Sequence, residues 1–169
     1  FYQLYESGQR EIKEGRVTSS LLWRVARVDL DPREAVDLLL GTPRPEPGLE
    51  IGGAFQLGDG GVRFDRVDAQ GRVRERYGFD GQGRLTDTER VDESGEVLWR
   101  AHFGAYREVS RDAGPDSEFA YLLELDFPRV EGRAKLDFQR VDLMGDLPDE
   151  LFELELPGRK NDASGAEGR

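Results

Sequence analysis

The sequence has no cysteine, a single methionine and a single histidine. Without cysteine there is no disulfide framework and no thiolate, whether as nucleophile or as metal ligand. The lone histidine, His102, has no serine in a Gly-x-Ser-x-Gly elbow to activate, and metal ligation is left to carboxylates scattered over the chain. Long apolar runs are missing too. The longest, Ala35 to Leu40, is interrupted by Asp37 and falls far short of a membrane span. Positive charge is in deficit, with 24 Lys and Arg against 35 Asp and Glu and a net charge of −11. Such a chain repels phosphates, so no nucleic-acid partner is expected, although a local basic patch remains compatible with the balance.

Candidate chemistry does not assemble. Gly81 and Gly83 form a Gly-x-Gly element inside a predicted turn, not between a strand and a helix, so it is no dinucleotide fingerprint. Carboxylate pairs for hydrolysis arise by chance among so many acids, and none is marked out by its surroundings. The expectation is a non-enzymatic protein without a cofactor.

What is present is enough apolar material for one domain: 169 residues, 37% hydrophobic, with two Trp, five Tyr and nine Phe. Residues 1–17 read as a hairpin around Ser7-Gly8-Gln9. Leu21, Leu22, Val25 and Val28 then follow helical spacing behind the capping candidates Thr18 and Ser19. A second helix is signalled by Asp31 as N-cap, Pro32 at the first helical position and Glu34 three residues after the cap, with Gly41 as its stop. Thr42 to Gly48 holds three prolines and reads as an extended connector. Strands are predicted over 53–57, 61–67, 72–79, 84–91, 96–109, 118–127, 133–143 and 152–156, forming an antiparallel meander. The polar stretch 158–169 lacks apolar anchors and reads as a disordered tail. Because the chain opens at Phe1 inside a predicted strand, upstream residues are expected to be missing.

One element repeats every 12 residues: Val67-Asp-Ala-Gln-Gly-Arg-Val73, Phe79-Asp-Gly-Gln-Gly-Arg-Leu85 and Val91-Asp-Glu-Ser-Gly-Glu-Val97. Asp suits the first position of a type I turn and Gly the left-handed residue closing it, so each copy predicts a hairpin corner. One carboxylate per turn is too few for a calcium loop. The copies also resemble a short piece of a YD-repeat shell, but the helical segment does not belong to such an array.

Alternation through these corners places Val67, Val73, Tyr77, Phe79, Leu85, Val91, Val97, Trp99, Ala101, Phe103 and Ala105 on one side of the sheet. Arg66, Arg72, Arg74, Arg76, Arg84, Arg90 and Arg100 fall on the other, with Thr86, Thr88 and His102. The arginine side reads either as a solvated outer face or as a docking surface, with Arg74, Arg76, Arg90 and Arg100 as the candidates. Asp65, Glu75, Asp87 and Glu89 share the parity of the apolar side. Four unpaired carboxylates cannot sit in a dry core, so either that side reaches water or the register slips by one.

Three stretches together carry a resemblance. A hairpin ending in Glu14-Gly15 is followed by helices closing on Asp31-Pro-Arg-Glu-Ala-Val-Asp-Leu-Leu-Leu-Gly41. The chain then ends with Arg133-Ala-Lys-Leu-Asp-Phe-Gln-Arg-Val-Asp-Leu143 and Leu147-Pro-Asp-Glu-Leu-Phe-Glu-Leu-Glu-Leu-Pro157. In this order of elements the chain resembles the LolA/LolB-type lipoprotein-carrier superfamily. The resemblance implies a mainly β domain over 1–157 that lacks the family's upstream helix and strands. Its meander would be strongly curved into an incomplete barrel, with two short helices as a lid. It further implies that lipid or lipoprotein acyl chains are bound without catalysis, in the periplasm or at the outer membrane, with no transmembrane span. The residues expected to contact the acyl chain are Leu22, Trp23, Leu39, Val73, Tyr77, Phe79, Leu85, Trp99, Phe103, Leu123 and Phe138. Each also reads as ordinary core. The alternative is a protein-binding module of an envelope complex that uses the arginine face.

Overall fold

A computed structural model describes residues 2–6, 11–26, 29–110 and 117–142, and the chain falls into two compact units. The first comprises Phe1–Val17 and Gly145–Arg169, the second Thr18–Met144. In the first unit β1 (Tyr2–Glu6) and β2 (Glu11–Gly15) form the expected antiparallel hairpin, with Tyr2 opposite Gly15 and Glu6 opposite Glu11. The predicted turn at Ser7-Gly8-Gln9, Val28, the last strand over 152–156 and the tail from 158 lie outside the described residues.

The second unit begins with two helices of eight residues, α1 (Ser19–Ala26) and α2 (Pro32–Leu39). Thr18 caps α1, its hydroxyl accepting from the Leu21 amide at 3.2 Å. Asp31 caps α2 by accepting from the Arg33 amide at 2.9 Å, Pro32 occupies the first position, and Gly41 leaves the helix at φ 67. Both starts were readable from the cap residues.

The sheet has seven strands in chain order: β3 (Glu50–Gln56), β4 (Val62–Val67), β5 (Val73–Phe79), β6 (Leu85–Val91), β7 (Val97–Val109), β8 (Ser117–Phe127) and β9 (Gly132–Asp137). Every neighbouring pair is antiparallel, and the sheet is not closed. The chain is therefore mainly β, an open meander with two short helices. Strand β9 ends at Asp137, earlier than the predicted residue 143. A short 3-10 turn, Pro128–Val130, joins β8 to β9.

The repeated corners are the predicted turns. Asp80 accepts at Oδ1 from the amides of Gln82 and Arg84 at 2.9 and 3.0 Å, and Gly83 closes the corner at φ 81. Asp68 and Asp92 repeat the pattern. Leu57 to Gly61 folds in the same way, with Gly60 at φ 85, a fourth copy whose sequence hides the relation.

Beyond each of the three repeated corners the register shifts by one residue. Val67 faces Val73 while Arg66 faces Glu75, so Arg74 is extra; Thr86 and Leu98 are the equivalent residues in the next two hairpins. This corrects the expected division of the faces. An even count through a corner does not keep a side chain on the same face once a bulge intervenes. Alternation in β5 and β7 is as predicted, whereas that of β4 and β6 is inverted. Arg66, Thr88 and Arg90 therefore join Tyr77, Trp99, Ala101 and Phe103 on the inner face, and Asp65, Asp87 and Glu89 join Arg76, Arg100 and His102 on the outer one. Of the four puzzling carboxylates only Glu75 stays inside.

The core lies between the inner face and the helical segment. Leu30 and Leu38 pack with Trp99, Ala101, Phe103, Leu123, Leu125 and Phe127. Ala105, expected to continue this side, is exposed at the core's end.

Candidate functional site

The inner face carries a buried charge cluster. Glu75 is 1% exposed, which would strand a carboxylate if it stood alone. It does not: Arg66 Nη1 donates to its Oε2 at 2.9 Å, Arg90 Nη2 and the Glu46 amide to its Oε1 at 2.7 and 2.9 Å, and the Tyr77 hydroxyl to its Oε2 at 3.3 Å. Arg66 also donates to the carbonyls of Glu46 and Leu49, pinning the proline-rich connector to the sheet. Arg90 pairs a second time, with Glu34 of α2 at 2.5 Å, and lies 5.6 Å over the Trp99 ring. The Tyr77 phenol is held well above its ordinary range by burial and by the neighbouring Glu75. Burial also raises the Glu34 carboxyl, against the lowering effects of Arg90 and the Trp99 indole.

The outer face carries an ion-pair ladder that crosses six strands in sequence. It runs from Asp65 to Arg76 (3.8 Å), to Glu89, to Arg100 (2.5 Å), to Asp126 (3.9 Å) and to Arg133 (3.4 Å). Beside it His102 meets Asp87 at 2.9 Å and Lys135 meets Glu124 at 3.2 Å. Acids and bases alternate from strand to strand, so the face has no single sign. These side chains wall an open trough of ≈ 1010 Å³, and Gly78 lies among them as bare backbone.

The predicted acyl-contacting residues are brought together only in part. Trp99, Phe103 and Leu123 are buried against one another, with Leu85 and Phe138 half-buried at the margin. Tyr77 and Phe79 stack on Phe64 at 5.2 and 5.8 Å. Val73, Leu22 and Trp23 are half-buried, and Leu39 is exposed on α2. Of the eleven, Tyr77 alone borders the trough.

The four candidate docking arginines are divided. Arg74 donates to the Val91 carbonyl at 3.1 Å and Arg90 belongs to the inner cluster, while Arg76 and Arg100 stand in the outer ladder. The expected uniform arginine face is thus replaced by a matched one. Glu34 is read from the sequence only as part of a cap, and Asp65, Glu75 and Glu89 only as carboxylates in need of partners; the arginines they pair with were missed, and the signal that could have found them is the alternation of sign between successive strands.

Among the described residues no group of three or more His, Cys, Asp or Glu could hold a metal ion, and no helix is long and apolar enough to cross a membrane. No protein-family model matches the chain, and neither a curated protein nor a solved structure matches it at a significant level.

Proposed function

We propose that the chain is a non-catalytic binding module whose outer trough receives a charged, polar segment of a protein partner. The observation that carries this reading is the trough itself, ≈ 1010 Å³ of open space walled by alternating charges. Partly exposed ion pairs each stabilise a fold by only about 0–1 kcal/mol, so a partner's charges can replace them at little cost. Binding of this kind is selective through charge order and weakens with salt. An envelope protein is the partner class that the LolA/LolB-type resemblance implies. The test is a photoreactive residue placed at His102 in the trough and, separately, at Val36 on α2. A specific adduct from position 102 that is lost in an Arg76→Glu/Arg100→Glu variant supports the reading. Adducts that form equally at both positions, or persist in the variant, would sink it.

A second reading is favoured by the helical cover. A single eight-residue helix, α2, places Leu38 on the apolar inner face and leaves Val36, Leu39 and Leu40 exposed. Displacing it would uncover a surface able to hold an acyl chain, worth roughly 0.8 kcal/mol per buried methylene. It is the reading that the LolA/LolB-type resemblance implies, together with a periplasmic, outer-membrane setting for lipoprotein or lipid transport. Native mass spectrometry of gently purified protein tests it: a lipid-sized adduct supports acyl binding, and a bare protein mass counts against it.

A further inference from the structure

We propose that the chain self-associates through β3: two copies pair antiparallel along this strand, Phe55 against Phe55, on a two-fold axis that joins their sheets edge to edge.

The open sheet has two edges, β3 and β9. A free edge presents unpaired backbone groups and is ordinarily guarded by charge or proline. β9 is guarded, with Arg133, Lys135 and Asp137 exposed along it. β3 is not. From Ile51 to Gly58 there is neither a charged residue nor a proline, and Ile51, Phe55 and Leu57 are 72%, 48% and 41% exposed. Among the described residues no strand lies beyond it. The bulge between Ile51 and Gly53 interrupts only its start. From Gly53 to Gln56 the pairing with β4 is regular, and the Leu57 amide closes it by donating to the Gly61 carbonyl at 2.8 Å.

That last bond fixes which groups are free. In an antiparallel ladder alternate residues turn both backbone groups to the same side. Leu57, Phe55 and Gly53 turn theirs to β4, so the amides and carbonyls of Ala54 and Gln56 point out of the sheet. The straight run from Gly53 to Leu57 is centred on Phe55, and a two-fold axis that uses all of it passes there. Ala54 of each copy then exchanges both its hydrogen bonds with Gln56 of the other. Phe55 meets Phe55 in the close, non-hydrogen-bonded kind of pair, which suits two aromatic rings. Leu57 falls opposite the copy's Gly53, against the Phe55 ring that lies over that glycine.

The guard on β9 limits the assembly to two. A β3-to-β9 union would be head-to-tail and repeat without end, and the charges along β9 disfavour it. Net charge gives the dimer a distinctive salt response. At −11 each the copies repel, while the contacts along β3 are uncharged, so salt strengthens their association. The charged partner proposed for the trough is instead released by salt. The β3 edge is independent of that reading, and either can fail alone.

Sedimentation equilibrium of the intact chain tests it. A five-residue ladder is a small interface, so a reversible dimer is expected to emerge as protein concentration rises towards about 0.5 mM. More of it is expected at about 0.5 M salt than at about 0.05 M. Gln56→Pro removes an amide that β4 does not use and is expected to stay monomeric. A second measurement does not depend on that variant. The chain has no cysteine of its own, so Phe55→Cys and Ile51→Cys each carry a single thiol. Under mild oxidation Phe55→Cys is expected to form a disulfide-linked dimer about tenfold faster, because position 55 alone lies opposite itself, although position 51 is the more exposed. Wild type that stays monomeric throughout would leave the edge to a strand of another protein and overturns the proposal. Assemblies that grow past the dimer, a dimer weakened by salt, and a Gln56→Pro variant that associates like wild type overturn it too, as does Ile51→Cys cross-linking as fast as Phe55→Cys.

Discussion

Arg66 stands directly opposite Glu75 in the β4–β5 register and donates to its Oε2 at 2.9 Å, in a region where Glu75 is sealed from water. The pair works as a joint. Through Glu75 it reaches Arg90 and, beyond it, α2; through the Glu46 and Leu49 carbonyls it fixes the connector. Glu75→Gln keeps the shape but takes from Arg66 its carboxylate partner and leaves Arg90 with Glu34 alone. The expected loss is about 3–5 kcal/mol, measured by urea unfolding of the purified variant. A loss below about 1 kcal/mol would mean that water reaches the cluster.

The outer ladder predicts a smaller, salt-dependent effect. Glu89 accepts from both Arg76 and Arg100, so Glu89→Gln leaves two like charges side by side. Because Arg76 and Arg100 are 38% and 55% exposed, solvent screens the gain, and the cost is about 1 kcal/mol at low ionic strength. At about 1 M salt the screening length shortens to about 3 Å and most of that cost is expected to vanish. Urea midpoints at the two ionic strengths check this. A deficit that is equal in both would assign Glu89 a packing role instead.

These two clusters mark where the sequence was legible and where it was not. Helix starts at Thr18 and Asp31 and corners at Asp68, Asp80 and Asp92 are local, each set by a side chain that bonds an amide two to four residues away. The mainly β meander followed from them. The faces did not, because one extra residue at Arg74, Thr86 and Leu98 inverts alternation in every second strand, and that shift belongs to the pairing of two strands. Misassigning Arg66 and Arg90 hid their shared carboxylate, and misassigning Asp65, Asp87 and Glu89 suggested a one-sign arginine face. Glu34 was legible as part of a cap but not as the partner of a residue 56 positions away.

Asp92 carries a prediction in acid. Its carboxylate accepts from the Ser94 hydroxyl and from the amides of Ser94 and Glu96, and these bonds, with the Ser94 hydroxyl first and Arg129 nearby, lower its pKa to about 2. The folded pKa lies below the unfolded one. The stabilisation is therefore complete above the ordinary carboxylate range of about 4 and is lost as pH falls towards about 2. Comparing melting temperatures of wild type and Asp92→Asn between about pH 5 and about pH 2 isolates it. The wild type is expected to melt higher at the upper end, with the gap closing in acid. A gap that stays constant would mean that the turn depends on the shape of the side chain and not on its charge.

The last prediction concerns backbone strain in β7. Ala105 sits at φ 50, in the left-handed region, between the ladder pairs Gly104–Leu122 and Tyr106–Ala120. An alanine there crowds its Cβ against the backbone at a cost of roughly 1–2 kcal/mol, whereas glycine accepts the conformation freely. Glycine also has more unfolded-state freedom to lose, which returns part of the gain. Ala105→Gly is therefore expected to stabilise the protein by about 0.5 kcal/mol. Ala105→Val makes the opposite demand, because a β-branched side chain tolerates positive φ least, and about 1–2 kcal/mol should be lost. Side-chain contact does not account for this order, since Ala105 is exposed and valine has more apolar surface to bury. Urea unfolding of the three proteins gives the ranking directly: glycine above alanine above valine places the strain at residue 105, and valine above glycine would show that β7 runs through this position as an ordinary strand.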